Sequence, residues 1–586
     1  MPSLNRRELL GTLVAGAAWG VAGCRDTGTR DAHAAPPQAK PITLPNGSVD
    51  WRAVRELFPL SKDLIHLATF LFVSQPKPVA EMVELYRKKI DEDTLWIERA
   101  AFDDAEGHPF SALKRSIAEY VGGTADEICL TSNATQALAM AYHGLRIRRD
   151  QEILTTEHDH YSQHQSIRFA AERSGCGVRY VSLYDDGINA NAAEMVSRLE
   201  RAITPKTRAV GVTWVHSCTG VKLPIPPVAE AVARANRGRA PTDRCLLIVD
   251  GTHGFGNQDA SVAKMGADFF ATSTHKWLFG PRGTGFLWGR SDVWPEMRPT
   301  IPTFDPEAPE PWDAWMNRKP LPPTKAKFVS PGGFLAFENL LGVKAAIDLH
   351  RSIGRDQVAA RVHELNAAFR DGAAKLPGVT LHTPNDPEVS RGITCYEVRG
   401  LKASEVEHAL NERRIRTTSA PYKVSYARVG AGIVNFPEEI DTALREIRAL
   451  AGSKPALSAR QSVIGPVSIP LAAALRRTSA SSEMRYFSTH SASSYSTSGR
   501  ACTLVAPSSS RCPVKSPSGS PPFWTCSLSR SSASGSFAQT NSVRWSKPTT
   551  RAAWERSAAA SCSSATRSAV VRRAGDDMAS SWSRSG

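Results

Sequence analysis

Between residues 110 and 289, short runs dominated by apolar residues alternate with segments in which apolar positions recur every three or four residues. The runs at 127–131, 152–155, 178–183, 208–215, 245–249 and 268–271 have strand length, the pattern of strands covered on both faces. The segments at 134–145, 161–173, 192–203 and 228–235 carry the helical period. Repeated strand–helix units predict an α/β fold with a mostly parallel central sheet, helices on both faces, and ligand chemistry at the C-terminal ends of the strands. Pro331-Gly332-Gly333 interrupts the pattern. After it, 338–352 and 357–374 read as long helices, and 393–398, 403–412 and 438–450 as pieces of a smaller α+β domain. The expected division is an N-terminal segment and large domain over 51–330, followed by a small C-terminal domain over 331–452.

Composition changes this picture at the two ends. The chain has 586 residues, 41% of them hydrophobic, which is ample for more than one core. The formal charge of +15 suggests nucleic acid until it is located: roughly thirteen of those charges fall beyond residue 452. The body is therefore near neutral, and no nucleic-acid partner is expected. Residues 453–586, rich in Ser, Arg, Ala and Pro, lose all hydrophobic period and predict no packed core; the composition fits a basic tail and also fits translation of a GC-rich gene in a shifted frame. At the other end, Arg6-Arg7 and the mildly apolar run to Gly23 resemble a twin-arginine export signal over 1–24. Val21-Ala22-Gly23-Cys24 resembles a lipobox, with Cys24 as the lipid anchor, and Ala32-His33-Ala34 is a competing cleavage site. A flexible linker is expected over 25–50. These features predict an exported protein, periplasmic or anchored to the membrane through Cys24, with a cytoplasmic location as the alternative. The ten cysteines stand singly and imply neither a disulfide framework nor a metal site.

Two stretches place reactive side chains where such a sheet would present them. Asp250 follows the apolar run 246–249 in Asp250-Gly251-Thr252-His253, so its carboxylate emerges at a strand end. Lys276 follows the run 268–271 in Ser273-Thr274-His275-Lys276, with a glycine-rich stretch over 280–285 behind it. A lysine amine can hold an aldehyde cofactor as a Schiff base, and a buried acid can keep a pyridine ring protonated. Those are the two needs of pyridoxal 5'-phosphate chemistry. Asn133, Ala134 and Thr135 lie between a strand and a helix, where backbone N–H groups and a hydroxyl can cradle a phosphate, or simply cap the helix. His158, His160 and His164 suggest a metal, but no carboxylate–histidine cluster completes a site and none is expected.

With these motifs in this order, the chain from about Leu57 to Leu450 resembles the class V aminotransferase family of fold-type I pyridoxal-phosphate-dependent enzymes, which includes isopenicillin N epimerases, cysteine desulfurases and kynureninases. The resemblance implies that Lys276 is the Schiff-base lysine and proton shuttle and that Asp250 pairs with the pyridine nitrogen. His160 would stack on the ring, His253 and Ser217 would approach its hydroxyl, and Ser273 and His275 would join Asn133, Ala134 and Thr135 at the phosphate. Gly333, with Phe334, matches a loop that crosses to the partner subunit, which implies a homodimer. Arg428 matches the substrate-carboxylate clamp, with Arg416 as second choice. The implied substrate is a small amino acid. The implied reaction at its α-carbon is isopenicillin N epimerase-like or aminotransferase-like, with a carbon–sulfur lyase second. Residues 416–422 contain no cysteine, which speaks against a desulfurase. A cofactor-free binding protein on the same fold is the alternative of another class; Lys276, Asp250 and His253 argue against it.

Overall fold

The computed structural model of the chain describes residues 42–102 and 109–452. The expectations for the export signal, for Cys24 and for the tail fall outside the described residues. Seven strands form the main sheet: β1 (Ile128–Thr131), β2 (Glu152–Thr156), β3 (Gly177–Val181), β4 (Thr207–Thr213), β5 (Leu246–Asp250), β6 (Phe269–Ser273) and β7 (Gly285–Gly289). Their order across the sheet is β1-β7-β6-β5-β4-β2-β3. Neighbours from β6 to β3 pair parallel, and β7 runs antiparallel to both β6 and β1.

Alternate residues of these strands feed two separate cores. Leu154, Val210, Leu247 and Phe270 pack on one face. Ile153, Ala209, Ile248 and Phe269 pack on the other. Both faces are dry, which is why the central strands read as continuous apolar runs. The covering helices include α1 (Lys77–Glu92), α2 (Pro109–Val121), α3 (Ala134–Gly144), α4 (Tyr161–Ser174), α5 (Ala192–Ala202) and α6 (Ile225–Ala235). The four predicted helices lie where their period placed them, except that α6 begins three residues earlier than expected, at a Pro-Pro pair suited to a helix's first turn.

The domain boundary differs from the expected one. Helix α7 (Phe337–Ile353) was expected in the small domain, yet Leu340, Val343, Ala346 and Ile347 belong to the large core, packed with Val79 and Ile117. The small domain is built from α8 (Arg355–Ala373), α9 (Ala403–Glu412), α10 (Pro437–Gly452) and an antiparallel sheet of order β10-β11-β9-β8: β8 (Val379–Leu381), β9 (Thr394–Val398), β10 (Thr418–Ser419) and β11 (Ala427–Val429). Its core joins Phe369, Tyr396, Val406, Ile415 and Ile440 to Leu67 from the N-terminal segment, whose Ile65 and His66 pair in parallel with Ile415 and Arg416. Residues 42–50, expected as linker, instead form a bridge between Thr43 and Val49 and end in Asp50, which caps the helix Trp51–Glu56. Ile42 and Val49 pack against the cluster that contains Phe58 and Phe279, and that apolar contact overrides the linker-like composition.

Candidate active site

The five parallel strands and β1 end on one edge of the sheet, and the antiparallel β7 starts there. Thr131 at the end of β1 and Ser273 at the end of β6 both pair with Gly285. A Cβ on Gly285 would sit 2.6 Å from Thr272 O and 2.9 Å from Asn133 Cα. Only glycine lets the start of α3 approach β6 this closely. Ser273 Oγ accepts from Ala134 N–H at 2.8 Å, and Asn133 caps α3 by accepting from Gln136 N–H at 2.9 Å. Thr135 is exposed in the first turn. The three residues and Ser273 thus gather at a helix N-terminus, where the free N–H groups favour an anion.

Lys276 lies three residues past the end of β6. The turn behind it holds Phe279 at φ 58, a conformation that costs a bulky residue about 1–2 kcal/mol. Burial of the Phe279 ring, edge-on to Phe58 with centroids 5.0 Å apart, is worth about 1.5–3 kcal/mol and offsets that cost. Gly256, at φ 87, lets the opposing loop approach the same turn: a Cβ there would meet Leu278 N at 2.6 Å and the Trp277 carbonyl carbon at 2.7 Å. The turn leaves Lys276 Nζ donating to Phe70 O at 3.3 Å.

Burial lowers the Lys276 amine from 10.5 to about 8; the Asp250 carboxylate opposes that shift and the Arg428 guanidinium adds to it. The neutral amine, which attacks an aldehyde, therefore predominates above about pH 8. Reconstitution of apoprotein with the cofactor is expected to speed up with pH with a midpoint near 8, as seen by stopped-flow absorbance; a midpoint near 10.5 contradicts the burial argument.

Asp250 ends β5 and is 3% exposed. Thr252 N–H donates to its Oδ1 at 2.9 Å. Burial pushes this carboxyl up, opposed by the Thr252 hydrogen bond and by His160. A buried carboxylate without an adjacent cation costs several kcal/mol of lost hydration, a cost that a pyridinium would offset. His253, one turn on, is held well below its usual range by burial, by Lys276 and by Arg428. Its Nδ1 has no partner, and its ring meets Phe70 edge-on with centroids 6.1 Å apart. His275 is half-buried, its Nδ1 also unpartnered.

His160 caps α4: its Nδ1 accepts from Ser162 N–H at 3.2 Å and lies 2.8 Å from Ser162 Oγ. The other two histidines of that stretch have different employment. His158 Nε2 accepts from Leu183 N–H at 3.0 Å while its ring stacks on Tyr184, and His164 Nε2 lies 2.8 Å from Thr156 O.

Arg428, on β11, is 4% exposed and donates only to neutral oxygens: Nη1 to Ser217 O at 2.9 Å, Nη2 to Ser419 O at 3.0 Å and Nε to Thr418 Oγ1 at 3.2 Å. Its guanidinium lies over the Phe70 ring, 5.2 Å from the centroid. Among the described residues no carboxylate pairs with it, so it stands as a pre-positioned cation. Arg416 is held elsewhere, with Nη1 on Asn411 O at 2.8 Å and on Asn411 Oδ1 at 3.2 Å. Gly333, at φ 100, has open space around it, and Phe334 beside it is 92% exposed. Phe334 thus presents its ring to solvent, touching Phe337 edge-on with centroids 6.4 Å apart.

Phe70 and Tyr422 also belong to the site and were not found from the sequence. Phe70 lies in an irregular segment and contributes a carbonyl to Lys276 and a ring to His253 and Arg428. The residues present fit pyridoxal phosphate. The helix N-terminus of α3 with Ser273 suits its phosphate, the buried Asp250 carboxyl its ring nitrogen, the orphaned His253 Nδ1 its ring hydroxyl, and the Lys276 amine its aldehyde.

Comparison with known proteins agrees. Residues 101–430 match the family model of aminotransferase class V. The isopenicillin N epimerase of Streptomyces clavuligerus is 30% identical over 350 residues, covering 58% of this chain and 84% of that one. A probable cysteine desulfurase of Streptomyces coelicolor is 24% identical, covering 63% and 87%. Among solved structures, a cystine C–S lyase in complex with cysteine persulfide superposes with a TM-score of 0.58 at 20% identity, covering 67% of this chain and 99% of that one, and so shows the shared fold. The family match spans more than half of the chain, so the chain belongs to the class V aminotransferases, and its cofactor is pyridoxal 5'-phosphate.

Proposed function

We propose that the protein moves protons at the α-carbon of a small amino acid, as an epimerase or aminotransferase does, with Lys276 as the proton carrier. The observation that carries this reading is that Lys276 Nζ and the Arg428 guanidinium converge on Phe70, with Asp250 close enough to the lysine to favour its charged form. When bound, the cofactor draws electrons from the α-carbon into its ring, which makes the α-proton acidic. The chain's own residues do the rest. Arg428 holds the substrate carboxylate with its remaining N–H groups, Asp250 keeps the ring nitrogen charged, and Lys276 Nζ takes and returns the α-proton. The buried Phe70 and Trp277 rings stack on each other beside the lysine, which keeps partial access to solvent.

Incubating wild-type holoenzyme with each common L-amino acid in D2O tests this: one or more should gain deuterium at Cα. Replacement of Arg428 by alanine should raise KM by about 10²-fold, the worth of a charge-assisted bidentate contact, with a smaller change in kcat. An unchanged KM in steady-state kinetics removes Arg428 from the substrate site.

Carbon–sulfur cleavage is the second reading, and one observation bears on it. Loop 420–426 carries no cysteine, and the thiol facing it, Cys218, lies 3.6 Å from Val424 O. Burial pushes that thiol up to about 11, so at neutral pH it is not the thiolate that attacks sulfur. This disfavours a desulfurase and leaves simple lyase chemistry as the competitor.

The assembly we infer is a homodimer. Phe72 (65% exposed), Trp315 (72%) and Phe334 (92%) are large apolar side chains presented to solvent, and a second copy is their proposed cover. Light scattering on the purified protein should give twice the chain mass. Export through the Arg6-Arg7 signal and anchoring at Cys24 are likewise proposed, and cell fractionation with wild type and Cys24→Ala tests both.

A further inference from the structure

Between β10 and β11 the chain turns tightly: Ala420 N–H donates to Tyr426 O at 2.8 Å and Ser425 Oγ donates to Ala420 O at 2.7 Å. The turn carries Tyr422 to Ser217, with Tyr422 Oη 2.7 Å from Ser217 Oγ, and sets the phenol ring edge-on to His160 with centroids 6.1 Å apart. Ser217 also offers its carbonyl to Arg428 Nη1 at 2.9 Å. One residue therefore ties the guanidinium to the phenol. The strand order then separates this group from the lysine. Lys276 follows β6, on one side of β5 and Asp250; Ser217 and His160 follow β4 and β2, on the other side. Arg428, the proposed carboxylate clamp, is tied through Ser217 to Tyr422, and Tyr422 packs on His160, the residue proposed to stack on the cofactor ring.

We propose that Tyr422 is the second proton-carrying group of the site, donating from Oη to the substrate α-carbon on the face opposite Lys276, with Ser217 holding the phenol in place. The proposal rests on the reading that the reaction is proton transfer at Cα, and it selects epimerisation among the outcomes. In the step, the Cα–H bond on the lysine face breaks, its electron pair stays with the substrate and its proton passes to neutral Lys276 Nζ. A new Cα–H bond forms on the other face with the proton of Tyr422, whose O–H electron pair remains on the phenolate oxygen beside Ser217 Oγ. Water then takes the proton from Lys276 and returns one to Tyr422. Burial pushes the Tyr422 hydroxyl up, so it enters the step protonated, as a donor must.

The test compares wild type with Tyr422→Phe, each incubated as holoenzyme with the common L-amino acids in D2O. Products are read by NMR for deuterium and by chiral chromatography for configuration. Wild type should yield deuterated D-product. Tyr422→Phe should still introduce deuterium through Lys276 but with retained configuration, inversion falling by about 10²-fold or more. Inversion by the variant within about threefold of wild type, or exchange by wild type without any inversion, overturns the role of Tyr422. Absence of exchange by wild type with every amino acid overturns the underlying reading instead. A crystal structure of the holoenzyme with 2-aminoisobutyrate, which has no α-proton to lose, gives a readout independent of turnover. Tyr422 Oη should lie about 3.5 Å or less from the substituent opposite Lys276, and a position beyond about 5 Å contradicts the proposal.

Discussion

Lys276→Ala is expected to reduce kcat by at least about 10³-fold with any amino acid the wild type accepts, because it removes both the covalent hold on the cofactor and the α-proton carrier. Proton transfer by a placed side chain contributes about 10²–10⁴-fold by itself. The fold should survive. The Lys276 amine makes one hydrogen bond, at 3.3 Å, to the Phe70 carbonyl, and its charged form is disfavoured by burial. Circular dichroism should therefore match wild type while activity disappears. A variant that keeps more than about a tenth of wild-type kcat shows that another group moves the proton.

Asp250→Asn carries the second large effect. The carboxyl at the end of β5 is nearly inaccessible and has a backbone N–H as its hydrogen-bond donor, so a cationic ring nitrogen beside it would hold it in the charged form that burial opposes. The isosteric amide keeps the shape and removes the charge. The expected loss is about 10²–10³-fold in kcat, the scale seen when one preorganised electrostatic group is deleted from a buried site. The Asp250 carboxylate favours the ammonium form of Lys276, so its removal should move the reconstitution midpoint further below about 8. A midpoint that rises, or a kcat within about tenfold of wild type, contradicts the proposed coupling.

The large domain was legible because its strands are buried on both faces. Residues such as 246–249 leave no polar position to blur the pattern, and the reactive residues follow such runs directly. The lysine, the aspartate and the phosphate turn were readable for the same reason: each is local to one strand end. Contacts made across the chain were not. Strand β7 was missed because its short run ends in glycines, and the β10 and β11 pieces have two and three residues, too few to show a period. Helix α7 was assigned to the wrong domain because amphipathic spacing says that a face is buried without saying against what; α1 and α2 supply the answer. Phe70 and Tyr422 reach the site through contacts distant in sequence. Tyr422 was in view as part of a loop lacking cysteine, but its bond to Ser217 spans 205 positions in sequence, beyond any local signal.

Peptide mapping of borohydride-reduced holoenzyme tests the central assignment most directly. Reduction should fix one pyridoxyl group per chain, and fragmentation should place it on Lys276. A label on a different lysine, or a protein that binds no cofactor after incubation with excess pyridoxal phosphate, contradicts the account.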